Sequence, residues 1–400
     1  MIDGDDSIAV PWNSGGWERA IFQRRDIGRL GRNAGDLVLY TPGRLIVDSE
    51  AAEHNGVREA LARRAADPCE EEAAEVAARL GLTLFTVPDD HLVAAVSSIR
   101  AAVPGSASLD HVWLPGPNRV HGDDLPLPAD DPRDIPSRNS SAGEGLTIAV
   151  LDTGIAKVPF GVDAGAADAE IPDENHDRMR DFAAGHGTHV AGLIARSAPG
   201  ARILARRLLT TPVGMASELD TAAAIIAAGN EGAQIINCSF GGTTLFDAPP
   251  LITVRALATL KPGTVVVAAA GNSGDERPHW PAACKGVIAV GAVGRRDDCA
   301  PWLRADFSNR GSWVDCCAPG VSVASTFLHT NGELADTPGF DGFATWSGTS
   351  FSCPQVVAAI AALATRDGIE PSLAAYRLVN DPSRPRIASI GTLVDPDDLP

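Results

Sequence analysis

The segment 346–363 most constrains what this chain can fold into. It opens with the small residues Ser347-Gly348-Thr349-Ser350 and continues into an apolar run over residues 355–363. A helix that is apolar on all sides belongs in a protein interior, so the pattern predicts a buried helix that carries Ser350 in its first turn. The free N–H groups at that end carry partial positive charge and can hold an oxyanion. Ser350 is therefore a candidate nucleophile.

Two other segments supply the groups that a reactive serine needs, because a hydroxyl is a poor nucleophile until a base takes its proton. Residues 147–151 are typical of a strand, and they end at Asp152, just before Gly154. His186 lies between two glycines at the start of a small-residue stretch. A fourth segment, residues 265–270, predicts a buried strand that leads to the amide side chain of Asn272.

These four segments follow one another along the chain with Asp152 first, then His186, Asn272 and Ser350. In this chain order they resemble the subtilisin-like (subtilase) serine peptidases. The resemblance implies a triad of Asp152, His186 and Ser350, with His186 rather than His189 as the base. It also implies that Asn272 and the Ser350 backbone N–H donate to the oxyanion.

The resemblance further implies an endopeptidase that forms an acyl-enzyme on protein or peptide substrates in extended conformation. It places substrate-binding residues on two walls of one pocket, at Ser239, Phe240 and Gly241 and at Ala269, Ala270 and Gly271. Glycines there let another backbone approach, and main-chain pairing makes affinity nearly independent of sequence. The chemistry requires no cofactor. The resemblance leaves structural calcium open, although no acidic loop maps onto a particular family site.

Each segment taken alone also has a structural interpretation. Asp152 is a reasonable turn former, Asn272 a loop cap and Ser350 a helix N-cap. His186 and His189 together are compatible with a buried pair or half of a metal site. The four segments jointly favour catalysis. Two alternatives stay open: a non-catalytic protein-binding module on the same fold, and an esterase or acyl-transfer enzyme that uses the same intermediate.

The order of predicted elements divides the chain. From residue 146 strands alternate with helices, which predicts an α/β catalytic domain over residues 146–382 with a mostly parallel sheet flanked by helices. Residues 36–122 resemble the small ferredoxin-like α+β prodomain of the family, which implies a folding chaperone and tethered inhibitor; a plain interaction domain is the alternative. Strand-like runs are expected at residues 37–40 and 44–47. Residues 1–35 are an N-terminal extension without assigned function.

Residues 123–145 are rich in Pro, Asp, Ser and Gly, which predicts an exposed linker. Because this linker lies between the inhibitor-like domain and the first catalytic strand, we expect the protein itself to cut it. Residues 383–400 are predicted to be a tail.

Composition limits the partners and the compartment. The net charge of −18 argues against nucleic acid, because phosphates would repel the protein. No stretch is long and apolar enough to span a bilayer, and the first residues lack a secretory signal. Seven cysteines, an odd number, do not indicate a disulfide framework. We expect a cytoplasmic protein without a membrane partner, with export by another route left open.

Specificity and the surroundings of the nucleophile are less clear from the sequence. Phe240 and the small-residue wall favour an apolar substrate side chain, whereas Asp275 and Glu276 offer a basic one as the alternative. Three positions depart from the family pattern: Phe351, Cys353 and Gln355 stand where Met, Ser and His are common. The pair Cys316-Cys317 is more compatible with a structural turn than with a metal site.

Overall fold

The computed structural model describes residues 7–8, 21, 24–31, 37–69, 72–115, 125–130, 141–158, 162–163, 165–210, 213–297, 300–330, 334 and 339–395. The predictions for Trp12, Trp17 and most of residues 1–35 lie outside these ranges, as does much of the predicted linker.

The first part of the chain forms a small sheet covered by helices. In chain order its strands are β2 (Gly28–Leu30), β3 (Val38–Asp48), β4 (Asp67–Pro68), β5 (Leu82–Thr86) and β6 (Ala107–Trp113). The short strand β1 (Ser7–Ile8) lies outside this sheet and pairs in parallel with the later strand Leu303–Ala305. Its helices are α1 (Ser49–Ala52), α2 (Asn55–Arg63), α3 (Glu72–Arg79) and α4 (Leu92–Ala102). The sheet order β6-β3-β5-β4 is antiparallel throughout, with β2 paired to β3. This order is that of a ferredoxin-like fold.

Residues 37–47 differ from the sequence-based expectation of two short strands. They lie mainly in the single strand β3, which spans 11 residues. Its pairing with β6 shifts register between Tyr40 and Leu45, and Gly43 in that interval has φ +77°. The Pro42-Gly43 pair therefore bends the strand without ending it, because neighbouring strands hold both halves.

The predicted catalytic part, from residue 146 on, is built on a long sheet. In chain order, the strands of this part are β8 (Thr147–Asp152), β9 (Val162–Asp163), β10 (Arg202–Arg207), β11 (Ala216–Ser217), β12 (Ile235–Cys238), β13 (Val265–Ala269), β14 (Val287–Gly294), β15 (Leu303–Ala305), β16 (Cys316–Pro319), β17 (Val323–His329), β18 (Asp341–Trp346), β19 (Arg386–Ile387) and β20 (Gly391–Leu393). Three of them lie outside the long sheet: β11 pairs with β6, and β17 and β18 pair with each other. The main order is β19-β20-β16-β14-β13-β12-β8-β10-β9, and every pair from β20 to β9 is parallel. The predicted fold class, a mostly parallel sheet flanked by helices, is confirmed.

Helices cover both faces of this sheet. They are α5 (His186–Ser197), α6 (Glu218–Asn230), α7 (Leu251–Ala258), α8 (Thr349–Asp367) and α9 (Pro371–Val379). Short 3-10 helices lie at Asp89–His91, Ala166–Asp168 and Leu245–Asp247. Helix α8 contributes Val356, Val357 and Ile360 to a core cluster at 0% exposure. A parallel sheet is buried on both faces, which explains why its strands are continuously apolar in sequence.

Two regions expected to lie outside the catalytic domain are part of its structure. The predicted tail from residue 383 contains β19 and β20, and β20 pairs in parallel with β16. Leu393 and Val394 are buried there, so the prediction of a tail from residue 383 is wrong at least as far as residue 395. Within the predicted linker, β7 (Leu127–Pro128) pairs with β18. No helix among the described residues is long and apolar enough to cross a membrane.

The added strand gives a test of stability. Leu393 is 3% exposed in β20, whereas Leu373 in α9 is 41% exposed. We expect Leu393→Ala to lower the free energy of unfolding by about 2–5 kcal/mol, because it removes buried methyl groups from a packed site. Leu373→Ala is the matched control and should change it by less than about 1 kcal/mol. Equal effects in urea unfolding would contradict a structural role for β20.

Candidate active site

A carboxylate and an imidazole meet at the carboxyl end of β8. Asp152 is the last residue of β8, and His186 is the first residue of α5; both are almost completely buried. His186 Nδ1 lies 2.7 Å from Asp152 Oδ1, and the Thr153 N–H donates to the same oxygen at 2.8 Å. A Cβ on Gly187 would collide with the Gly154 carbonyl oxygen, so glycine lets α5 begin this close to β8. The carboxylate therefore fixes the ring orientation of His186.

Ser350 reaches the same site from the N-terminus of α8. Its Oγ donates to the Ser239 carbonyl oxygen at 3.0 Å, and Ser239 Oγ donates back to the Ser350 carbonyl at 2.9 Å. The ring of Phe351, the next residue, lies 5.3 Å from the His186 ring, measured between centroids. His186 Nε2 is buried and has no hydrogen-bond partner among the described residues. The packing of Phe351 on the His186 ring thus places Ser350 beside His186, with the Ser350 hydroxyl turned toward Ser239.

Asn272 is held against the same helix. Its Oδ1 accepts from the Thr349 N–H at 2.9 Å and from Thr349 Oγ1 at 2.8 Å. A Cβ placed on Gly348 would lie 3.4 Å from Asn272 Nδ2, so the amide nitrogen faces the residues that precede Ser350. Sequence analysis did not single out Thr349, although a hydroxyl beside the nucleophile was a visible signal.

The two predicted walls of the substrate pocket follow neighbouring strands, because β12 and β13 are paired. Gly241 forms an antiparallel bridge with Leu114 of the N-terminal part: Leu114 N–H donates to Gly241 O at 3.0 Å, and Gly241 N–H donates to Leu114 O at 2.8 Å. On the other wall, Ala269 and Ala270 are buried, and the Ala270 carbonyl accepts from Asn309 Nδ2.

The expected contribution of the Phe240 side chain to apolar specificity is not seen. Its ring is 0% exposed within a core cluster that includes Trp113. Any contact of Phe240 with an extended substrate therefore passes through its backbone.

His189 keeps its structural interpretation. Its Nε2 lies 3.1 Å from the Val323 carbonyl oxygen, and its ring packs on Phe351 with centroids 4.7 Å apart. Burial, reinforced by the neighbouring His186, lowers the pKa of His189 to about 3. The ring therefore stays neutral at physiological pH and donates to a backbone carbonyl.

Glu170 is a second carboxyl near Asp152 that sequence analysis missed. Its Oε2 accepts from Thr188 Oγ1 at 3.0 Å and from Thr153 Oγ1 at 3.2 Å, and Thr153 Oγ1 in turn accepts from the Gly187 N–H. Burial raises the pKa of Glu170 to about 8, and the charge of Asp152 adds to the effect. No local pattern marks Glu170, because its contacts come from two separate segments.

Cys353 and the pair Cys316-Cys317 are structural in this fold. Cys353 is 0% exposed, and its Sγ contacts Asn237 Oδ1 at 3.3 Å. Burial raises the pKa of the Cys353 thiol well above its usual value. Cys316 and Cys317 are buried in β16. The described residues contain no group of three or more His, Cys, Asp or Glu side chains placed to hold a metal ion.

The acidic segment before His186 does not change this conclusion on metals. Asp173 accepts from the backbone N–H groups of Asp177 and Arg178, and Asp177 accepts from that of Met179. These carboxylates accept from backbone N–H groups of their own loop in this arrangement. Calcium stays a prediction of the resemblance, and no step of the chemistry is assigned to it.

Comparison with known proteins gives the class. The model of the subtilase family matches residues 143–378, which is more than half of the chain. The chain belongs to the subtilase family.

Individual relatives place it more closely. The chain is 37% identical over 248 residues to the thermophilic serine proteinase of Bacillus sp. (strain AK1), a match that covers 58% of this chain and 55% of that protein. It is 35% identical over 233 residues to subtilisin Savinase of Lederbergia lenta, covering 55% of this chain and 76% of the relative. The chain therefore spans about half the length of the first of these relatives.

A solved structure shares the fold over nearly the whole chain. Fervidolysin from Fervidobacterium pennivorans, a keratinolytic enzyme related to subtilisin, has a TM-score of 0.61 and 21% sequence identity, covering 93% of this chain and 63% of that chain. At this identity the likeness concerns the fold alone.

Glu170 makes stability depend on pH in a defined direction. An exposed Glu has a pKa near ~4.3, so between about pH 5 and 8 the unfolded chain has lost a proton that folded Glu170 keeps. The free energy of unfolding therefore falls as pH rises through this window, by up to about 1.4 kcal/mol per pH unit. Glu170→Gln keeps an acceptor for Thr153 and Thr188 and does not titrate. In this variant the thermal melting temperature should fall less steeply between about pH 5 and 8 than in the wild type.

The matched control for Glu170 is Glu276→Gln, since Glu276 has a side chain that is 74% exposed. This variant should melt with the wild-type pH dependence. If Glu170→Gln also shows the wild-type slope, Glu170 is ionised in the folded protein.

The buried thiol predicts resistance to oxidation. Peroxide reacts with thiolates, so Cys353 should stay unmodified in the folded protein and react only after denaturation. Partly exposed Cys69 serves as the internal control and should be oxidised first. Peptide mass spectrometry after a peroxide series measures both. Oxidation of Cys353 before Cys69 in the native protein would contradict the prediction.

Proposed function

We propose that this chain is a serine endopeptidase with a triad of Asp152, His186 and Ser350. The observation that carries the proposal is the 2.7 Å contact between Asp152 Oδ1 and His186 Nδ1 at a site that also receives Ser350 from the N-terminus of α8. The family membership and the proteinase names of the relatives support it.

The reaction follows from these positions. The Ser350 hydroxyl leaves the Ser239 carbonyl by a rotation about its Cα–Cβ bond and gives its proton to His186 Nε2 as Oγ attacks the peptide carbonyl carbon. Asp152 stabilises the imidazolium. His186 then protonates the departing amine as the C–N bond breaks, and water releases the acyl group by the same steps in reverse.

The oxyanion would be held by the Asn272 amide and the Ser350 N–H. Because Thr349 fixes the Asn272 carbonyl oxygen, the amide N–H₂ is oriented before substrate arrives, as a preorganised donor must be. The helix N-terminus adds partial positive charge at the same place.

We also propose that the N-terminal domain is an intramolecular inhibitor. Strand β6 pairs with β11 on one side and continues to Leu114, which pairs with Gly241 on the groove wall. Trp113 is 0% exposed in one cluster with Phe240. An extended peptide substrate would need the same Gly241 N–H and C=O groups, so the two compete directly.

Buried hydrogen bonds between β6 of the N-terminal domain and helix α6 support the docking of this domain. His111 Nδ1 lies 3.0 Å from Glu218 Oε2, and the other carboxylate oxygen accepts from the N–H groups of Ile252 and Thr253 at the start of α7. Asp110 accepts from the Leu219 N–H in the first turn of α6. Carboxylates at helix N-termini are stabilising, so these contacts fix the orientation of the domain.

A serine-directed phosphonate tests the nucleophile. The wild-type protein should be labelled on Ser350, and Ser350→Ala should not be labelled. Ser352→Ala is the matched control, because Ser352 lies in the same helix but donates to the Ala318 carbonyl.

Asn272→Ala should lower kcat by about a hundredfold or more with little change in KM, a magnitude taken from subtilisin itself. Unlabelled wild type would favour the non-catalytic alternative, and turnover of esters but not peptides the esterase alternative.

Weakening the docked strand tests inhibition. Trp113→Ala removes the ring packed near Phe240 and should raise the initial rate of peptide hydrolysis by the full-length chain several-fold. Tyr376→Ala, at a residue 66% exposed on α9, should leave that rate unchanged. An unchanged rate in a folded Trp113→Ala protein would show that β6 does not limit access.

A further inference from the structure

One imidazole occupies the space between the two walls of the proposed substrate pocket. A Cβ built on Gly241 would lie 2.6 Å from His279 Nε2, and a Cβ built on Gly271 would lie 2.8 Å from His279 Nδ1. The same ring therefore touches both walls, from opposite sides. His279 is 5% exposed, so the ring lies within the protein rather than at the mouth of the groove.

The backbone holds His279 firmly in this place. The next residue, Trp280, exchanges two hydrogen bonds with Gly242, at 2.8 and 2.9 Å. Gly242 follows Gly241 directly, so the segment that carries His279 is pinned to the groove wall itself. On the other side, the Ala283 N–H donates to the His279 carbonyl at 2.8 Å. The backbone of His279 cannot move away from the wall without breaking this pairing.

We propose that His279 fills the pocket for the substrate side chain that precedes the cleaved bond and restricts it to small uncharged residues, namely Gly, Ala and Ser. The inference rests on the proposed peptidase function and names its substrate class. A backbone paired at Gly241 and attacked by Ser350 beside Ser239 directs that side chain between the two walls. Both walls are glycine where they face the ring, and the imidazole takes the volume that the missing side chains leave.

Charged side chains close to the pocket are engaged elsewhere, which argues against a charged substrate residue. Glu276 pairs with Arg310, and Arg277 pairs with Asp247. The Asp275 side chain accepts from the Arg277 N–H. Asp275 and Glu276, which sequence analysis gave as alternative partners for a substrate Lys or Arg, therefore belong to a surface loop with its own polar contacts.

The test uses peptides that differ only in the residue before the cleaved bond: Ala, Phe, Lys and Glu. For the wild-type chain we expect kcat/KM for the Ala peptide to exceed that for the Phe peptide at least about tenfold, since a filled pocket rejects added methylenes by ~10–200-fold. His279→Gly should raise kcat/KM for the Phe peptide by a similar factor and should change kcat/KM for the Ala peptide by no more than a few-fold. His329→Gly is the matched control, because the His329 side chain is 67% exposed, and it should keep the wild-type preference.

A binding measurement separates this inference from the proposed function. The Ser350→Ala protein cannot turn over, and a second substitution, Trp113→Ala, weakens the docked strand, so calorimetry of this double variant with the Ala and Phe peptides reports pocket size without catalysis and without changing His279. Tighter binding of the Ala peptide supports the inference whether or not the wild type is an active peptidase. Equal or tighter binding of the Phe peptide overturns it. A preference for the Glu or Lys peptide overturns it as well, since it would show that the pocket recognises charge.

Discussion

The packing of α8 into the centre of the molecule is the constraint on which the site depends. The helix is buried along most of its length, so it cannot shift or rotate without disturbing the core on several sides. Its first turn is therefore a fixed point. Ser350, Thr349 and, through Thr349, the Asn272 amide take their positions from it. Asp152 and His186 come from the carboxyl end of β8 and the start of α5, and the parallel sheet brings these ends together at one edge.

The second determinant is a set of hydrogen bonds that position groups without touching substrate. Glu170 holds Thr153 and Thr188, and Thr153 accepts from the N–H of Gly187, next to His186. A protonated carboxyl at that place adds no negative charge beside Asp152. Asp152 is thus the only one of the two carboxyls that is charged beside His186. The Glu170 carboxyl still accepts hydrogen bonds from the hydroxyls of Thr153 and Thr188, and buried hydroxyls without an acceptor would be destabilising.

Sequence reasoning predicted the four segments of the proposed site because each combines a chemical group with a local signal: glycines at His186, an apolar strand before Asp152 and Asn272, an apolar helix after Ser350. It also predicted the class of sheet, since alternation of strands and helices is a local property. It failed where position depends on distant partners. The ring of Phe240 points into the core, and Glu170 and His279 are placed by contacts from separate segments. The last strands were missed because β19 and β20 are short, and β20 pairs with β16, which lies far from it in sequence.

One strand belongs to both parts of the molecule. β6 lies beside β3 in the N-terminal sheet and beside β11 of the catalytic part, and the chain runs on from it to the groove wall at Gly241. An occupant on the same chain is present at a fixed effective concentration, so dilution does not remove it and added substrate competes against a constant. If the N-terminal domain is the inhibitor proposed above, access to the groove would be set by how often the N-terminal sheet opens or by a break in the chain. The folding stability of that domain would then be a kinetic property of the proposed peptidase.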